Sequence, residues 1–86
     1  MSELKPIPRV SLTNQKILYA VHQHTGMNGY QIREKTKIKP GSFYTSVSRL
    51  VDIGLLSKTW KEGVYYPKLT KKGEKIIKLI IYFNTL

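Results

Sequence analysis

Residues 39–56, KPGSFYTSVSRLVDIGLL, decide how this chain is read. Pro40 suits the first position of a helix, where no N–H partner is needed. Phe43, Val47, Leu50 and Val51 recur at helical spacing, which predicts one buried face. Gly54 stops the helix, and a strand follows. The other face carries Ser42, Thr45, Ser46, Ser48, Arg49 and Asp52. These are short hydrogen-bonding side chains and one fork-shaped cation. A helix with small polar groups outside can approach another surface closely, and the major groove of B-DNA, about 12 Å wide, admits one helix. The stretch reads as a DNA-recognition helix, or as an ordinary amphipathic helix with a solvated face. Its surroundings separate the two.

Upstream, Asn28 is placed to cap a helix over Gly29 to Thr36, with Gln31 in the capping-box position. Tyr30 and Ile32 are its main apolar residues. The turn Lys37-Ile38-Lys39 follows, with Ile38 directed inward. Two helices joined by so short a turn have the proportions of a helix-turn-helix. Before them, Ser11 or Thr13 caps a helix from about Asn14 to Thr25. Its stripe is Ile17, Leu18 and Val21, with Ala20 beside it, and Gly26 ends it. His22 and His24 lie near its surface, with no ligand role expected. Residues 1–12 hold Pro6 and Pro8 and read as an extended arm, with disorder expected over residues 1–5. Its Lys5 and Arg9 would touch a phosphate backbone, or the arm would pack on a partner subunit.

Downstream, Leu55 to Trp60 has strand character, Lys61-Glu62-Gly63 is a turn, and Val64 to Leu69 reads as the return strand. Pro67 removes a ladder donor, so the pair must be an edge or a two-stranded ribbon. A hairpin directly after a helix-turn-helix is a wing. Lys58, Lys61 and Lys68 would lie along a duplex backbone, unless the hairpin serves only to cap the helices. Thr70 caps a last helix, about Lys71 to Asn84. Ile76, Ile77, Leu79, Ile80, Ile81, Tyr82 and Phe83 make it apolar nearly all round. A helix of that kind needs a partner. A homodimer through Ile76, Ile77, Ile80, Ile81 and Phe83 is expected. Membrane association is the weaker rival, because an interfacial helix needs one apolar face.

Composition narrows the partner. Fifteen Lys and Arg against five Asp and Glu give a formal charge of +10. That excess favours a polyanion, and nucleic acid before a membrane. The bland alternative is a lysine-rich surface that only keeps the protein soluble. With no cysteine and two histidines, neither a disulfide framework nor a zinc centre is expected. The acids Glu3, Glu34, Asp52, Glu62 and Glu74 are scattered, and there is no phosphate loop, so no enzyme and no cofactor are expected. The N-terminus lacks an apolar signal core. A cytoplasmic, nucleoid-associated protein is the expectation. RNA binding is disfavoured because no exposed aromatic platform is evident.

Three patterns together resemble the PadR-type winged helix-turn-helix transcriptional regulators, over Ile17 to Gly73. Met27-Asn28-Gly29-Tyr30-Gln31-Ile32 is similar to that family's small-x-Gly-Tyr-x-Ile start of the second helix. Gly41 to Leu50, followed by Gly54-Leu55-Leu56, resembles its Gly-Thr-Leu-Tyr-Pro-x-Leu-x-Arg-Leu recognition helix. Tyr66-Pro67-Lys68-Leu69-Thr70-Lys71-Lys72-Gly73 resembles its Tyr-Tyr-x-Leu-Thr-x-x-Gly wing strand. Thr45 stands where the family usually has Pro, and Pro67 where the second Tyr is usual. Only Glu74 to Leu86 stand in place of the family's longer C-terminal helical region. That puts effector sensing in doubt, and Trp60 is expected to pack rather than bind a small molecule.

The resemblance implies an α+β, mainly α, winged helix-turn-helix fold of three helices, a two-stranded wing and a C-terminal helix. The division is an arm at 1–12, a DNA-binding domain at 13–70 and a dimerisation helix at 71–86. It implies that Ser42, Tyr44, Thr45, Ser48 and Arg49 face double-stranded DNA, with Tyr44 donating its hydroxyl to a phosphate. Arg49 would fork onto a guanine or clamp a phosphate. Lys37 and Lys39 would meet phosphates at the helix N-terminus, as Lys58 and Lys61 would from the wing. A dimer would set two recognition helices about 34 Å apart on an inverted-repeat operator, and repression by exclusion follows by analogy of fold. The competing reading is an adaptor or partition-type protein that couples DNA to a protein partner.

Overall fold

Burial of the Phe43 side of the central stretch organises the structure. The computed structural model describes residues 10–85. Among these, the order is α1 (Leu12–Gln23), α2 (Gly29–Thr36), α3 (Pro40–Asp52), β1 (Leu56–Lys61), β2 (Val64–Leu69) and α4 (Lys71–Thr85). The expected N-terminal arm, with Lys5 and Arg9, lies outside the described residues up to position 9, as does Leu86. The fold is mainly helical, with one two-stranded antiparallel sheet, and is a winged helix-turn-helix.

Each helix begins and ends by a local rule. Ser11 caps α1 by accepting from the Asn14 backbone N–H at 3.1 Å. This starts α1 two residues before the expected Asn14. Its C-cap is His24, ahead of Gly26, which takes φ +89°. The α2 capping box is complete, with the Asn28 side chain accepting from Gln31 N and the Gln31 side chain accepting from Asn28 N. At the other end of α2, Lys37 takes the left-handed conformation, φ 58°, and its N–H donates to the Arg33 carbonyl at 2.9 Å. That single residue turns the chain toward α3. The end of α3 is a Schellman motif. Leu55 N–H donates back to Leu50 O, Gly54 N–H donates to Val51 O, and Gly54 takes φ +82°.

The core is drawn from the four helices and the start of the hairpin, with Tyr65 and Leu69 of β2 packed against it. Ile17, Leu18, Ala20 and Val21 of α1 meet Ile32 of α2, then Phe43, Val47 and Leu50 of α3. Leu55, Leu56, Ile77 and Ile80 close it. The helix α1 sits in the middle, packed on α2, α3, α4 and β2. Val51 and Ile38 are half-buried at its margin.

Two expectations are corrected here. Tyr30 is not an inward residue of α2. It is exposed, with the Arg33 guanidinium 5.2 Å from its ring centre. Nor is α4 apolar all round in any sense that leaves it unpartnered. Ile77 and Ile80 lie in the domain's own core, and Ile76 and Ile81 pack against it. The apolar surface left on α4 is Leu79, Tyr82 and Phe83.

The return from the wing is tied to the end of α3. The Thr70 N–H donates to Leu55 O at 3.2 Å, and the Thr70 hydroxyl donates to Gly54 O. That hydroxyl also accepts from Gly73 N–H at 3.0 Å, capping α4. Gly73 is buried against the Leu55 carbonyl, where a Cβ would collide with backbone. Gly41, by contrast, faces open space within α3. Gly73→Ala should therefore lose about 1–3 kcal/mol, while Gly41→Ala should gain about 0.5–1 kcal/mol. Urea denaturation of both variants checks the contrast, and equal effects would contradict the packing described.

Candidate nucleic-acid interface

At 3.6 residues per turn, Phe43, Val47 and Leu50 fall on one side of α3 and are buried. The side directly opposite holds Gly41, Ser42, Thr45, Ser48, Arg49 and Asp52, all exposed. Apart from Gly41 and Asp52, these are residues expected to face a duplex. Thr45 leaves α3 unbroken with its hydroxyl on the outer side. Lys37 and Lys39 are exposed at the N-terminal end of α3. There their charges add to the positive end of the helix dipole, a combination that attracts phosphate.

Strand register places the wing. Leu56 pairs with Leu69, Lys58 with Pro67 and Trp60 with Tyr65. Because side chains alternate, these six share one face of the ribbon. Leu56 and Pro67 on that face are buried, so it looks toward the helices. Ser57, Thr59 and Lys61 point the other way, with Lys68, Tyr66 and Val64. The expected row of three wing lysines is thus split, with Lys58 on the helix side and Lys61 and Lys68 on the far side. The loop between strands is two residues, Glu62 and Gly63, at φ 53° and 79°. Both central residues are left-handed, as a type I′ hairpin turn requires.

A chain of rings joins the wing to α3. Phe43 and Tyr44 meet edge to face at 5.4 Å between centres, and Tyr44 meets Tyr65 the same way at 6.4 Å. Trp60 lies tilted on Tyr65 at 5.5 Å, and Lys58 Nζ is 5.3 Å from the Tyr65 ring centre. The far end of Tyr65 rests on Gly29, the first residue of α2, where any Cβ would collide with the ring. Tyr65 thereby touches both helices of the helix-turn-helix. Its hydroxyl oxygen is buried without a hydrogen-bond partner. Burial, and then the neighbouring Tyr44 hydroxyl, push its pKa up to about 12.

Trp60 packs on Tyr65 but remains 64% exposed. Tyr44, on the flank of α3 nearest the wing, is 44% exposed. The absence of an exposed aromatic platform, expected from the sequence, is therefore corrected. The signal that identifies it is register: Trp60 and Tyr65 are cross-strand partners near the free end of the hairpin.

Elsewhere, the cavities are small and open. One, of about 410 Å³, is lined by Gly26, Thr59, Lys61, Tyr66, Pro67 and Lys68 on the far side of the wing. Among the described residues no three His, Cys, Asp or Glu side chains come together to hold a metal, and no helix is long and apolar enough to cross a membrane.

By sequence the chain matches no protein-family model and no curated protein. By structure it resembles a MarR transcriptional regulator from Methanosarcina mazei Go1, with a TM-score of 0.81 and 22% identity over 88% of this chain. It also resembles Bordetella bronchiseptica BpsR, whose DNA binding is regulated by 6-hydroxynicotinic acid, with a TM-score of 0.82 and 18% identity over 93% of this chain. A third likeness is to Streptococcus pneumoniae FabT in complex with DNA, with a TM-score of 0.81 and 20% identity over 94% of this chain. The chain spans 52%, 58% and 59% of the lengths of those three proteins. At such identities the likeness establishes the winged-helix fold.

The Tyr65 hydroxyl has a consequence at high pH. Its folded pKa is raised, so the stability tied to the neutral ring is fully present below about pH 10 and is lost as pH rises toward about 12. Tyr65→Phe has no such proton to lose. Its unfolding midpoint should match or exceed the wild type at neutral pH and should fall less between pH 10 and 12. Thermal melts of the two proteins across that range check this, and parallel declines would contradict it.

Proposed function

We propose that this chain is a sequence-specific double-stranded DNA-binding transcriptional regulator that works as a homodimer, and that it acts as a repressor by covering its site. One observation carries the reading: α3 is anchored by Phe43, Val47 and Leu50 and turns Ser42, Thr45, Ser48 and Arg49 outward. These are the side chains that read base edges and phosphates at close range. Lys37, Lys39 and Lys58 flank them, and the formal charge of +10 draws the whole surface toward a polyanion. Two of the structural neighbours are described with DNA, FabT in complex with it and BpsR through regulated binding to it. In this reading Arg49 makes the strongest single contact, Tyr44 donates to a phosphate, and Lys61 meets the backbone from the far side of the wing.

The PadR-type motifs keep their places in the fold. Gly29-Tyr30 opens α2, Gly41 to Leu50 lies within α3, and Thr70 to Gly73 links the wing to α4. The structural neighbours named above include a MarR regulator, so the likeness supports a winged helix-turn-helix regulator rather than the PadR type in particular. The dimer contact is reassigned within α4 to Leu79, Tyr82 and Phe83, which are between 44% and 59% exposed. Residues of this size rarely stand together in water without a partner.

Arg49→Ala should weaken binding to a duplex selected from a random pool by at least about fivefold, near 1 kcal/mol, with a smaller effect on random-sequence DNA. Fluorescence anisotropy of the labelled duplexes measures both, and unchanged affinity would remove Arg49 from the interface. Phe83→Asp should convert a dimer to a folded monomer in sedimentation equilibrium. A dimeric variant would remove the end of α4 from the subunit contact.

A further inference from the structure

We propose that the Trp60 ring, with Lys58 on the same face of the wing, is a sequence-independent DNA-contact surface that packs on the sugar–phosphate edge of the duplex entered by α3. The inference rests on the DNA-binding reading above and adds to it a contact of different chemistry.

Four observations bring it together. Strand alternation puts Lys58 and Trp60 on the one face of the wing that looks toward α3. Trp60 covers only part of itself on Tyr65 and leaves 64% of its surface open. Tyr65 is a fixed seat, held at its far end by Gly29 and on its flank by Tyr44. The ring is therefore set in relation to α3, and a duplex that meets the outer face of α3 has the wing beside it. Lys58, whose ammonium lies over the Tyr65 ring, gives the same surface a cation.

The chemistry selects the occupant. An indole offers a broad apolar face and one N–H donor, and an ammonium on the same face of the wing matches a phosphate. Bases within a duplex are stacked on both sides, so an indole cannot stack on them without opening a step. The groups it can reach are deoxyribose rings and the phosphates between them, which are alike at every base pair. Trp60 thus contributes affinity without sequence preference, the opposite of what Arg49 does.

Trp60 is the only tryptophan of the chain, so its emission reports this surface alone. The probes are the selected duplex and a random-sequence duplex of equal length, at fixed salt. Trp60 emission should shift or quench on adding either duplex and saturate together with the anisotropy. Trp60→Ala, at an exposed position, should fold normally and weaken both duplexes by the same factor, roughly five- to tenfold. Trp60→Phe should restore most of that loss. Unchanged affinity in Trp60→Ala, with Arg49→Ala still impaired, would overturn this proposal and leave the DNA-binding reading standing. A loss confined to the selected duplex would also overturn it. Emission that changes with protein concentration but not with DNA would assign Trp60 to a contact between copies. No binding of either duplex by the wild type would overturn the proposal together with the reading beneath it.

Discussion

Everything at the proposed DNA surface depends on how α3 is held. Phe43, Val47 and Leu50 are buried to within about 1% of their surface. Removing an aromatic such as Phe43 from such a site costs about 3–5 kcal/mol, a large share of the stability of a small domain. With that side locked into α1 and its neighbours, the rotation of α3 about its own axis has one answer. Thr45 and Arg49 then point outward because no other direction is left to them. A recognition surface made of short side chains needs this rigidity. Ser and Thr hydroxyls reach only a short way, so the backbone that carries them must be placed closely.

The two ends of α3 are secured in different ways. At its start Pro40 fixes φ, and Lys37 turns the chain from α2 in a left-handed conformation. At its end the Schellman turn at Gly54 passes directly to Thr70, which bonds both the loop after α3 and the first turn of α4. The Lys72 ammonium adds a hydrogen bond to the Ile53 carbonyl at 3.1 Å, where the helix dipole is negative. The helix α3, the wing and α4 therefore share one junction. Tyr65 makes a second link farther out, between the wing, α3 and the start of α2. Through these two links the hairpin is a fixed part of the surface, not a loose flap.

Much of this was legible in the sequence, and the reason is locality. The Asn28 capping box, Pro40 at the start of α3, Gly54 at its end and the extent of β2 follow from residues within a few positions of one another. The buried stripe of α3 followed from its period, which needs no knowledge of the partner. What was misread depends on distant neighbours. Tyr30 reads as one of the main apolar residues of α2, yet that helix has only eight residues and Ile32 is the one large side chain buried on its inner side. Ile77 and Ile80 read as an association surface because the depth of the groove beside α1 is a tertiary property. The splitting of Lys58 from Lys61 and Lys68 required the register, and the register hangs on a two-residue turn. Glu62 hid that turn, since a glutamate is a rare occupant of a left-handed position. The exposure of Trp60 depends on the same register, which pairs it with Tyr65 near the free end of the hairpin.

The central claim is that the outer face of α3 and the helix side of the wing form one duplex-binding surface. Backbone amide chemical shifts, followed by NMR as a selected duplex is added to the isotope-labelled protein, test it most directly. The largest changes should fall together on Lys39 to Arg49 and on Lys58 to Tyr65, with α1 and the end of α4 nearly still. Changes concentrated on α4, or on the far side of the wing at Thr59, Tyr66 and Lys68 without α3, would contradict it.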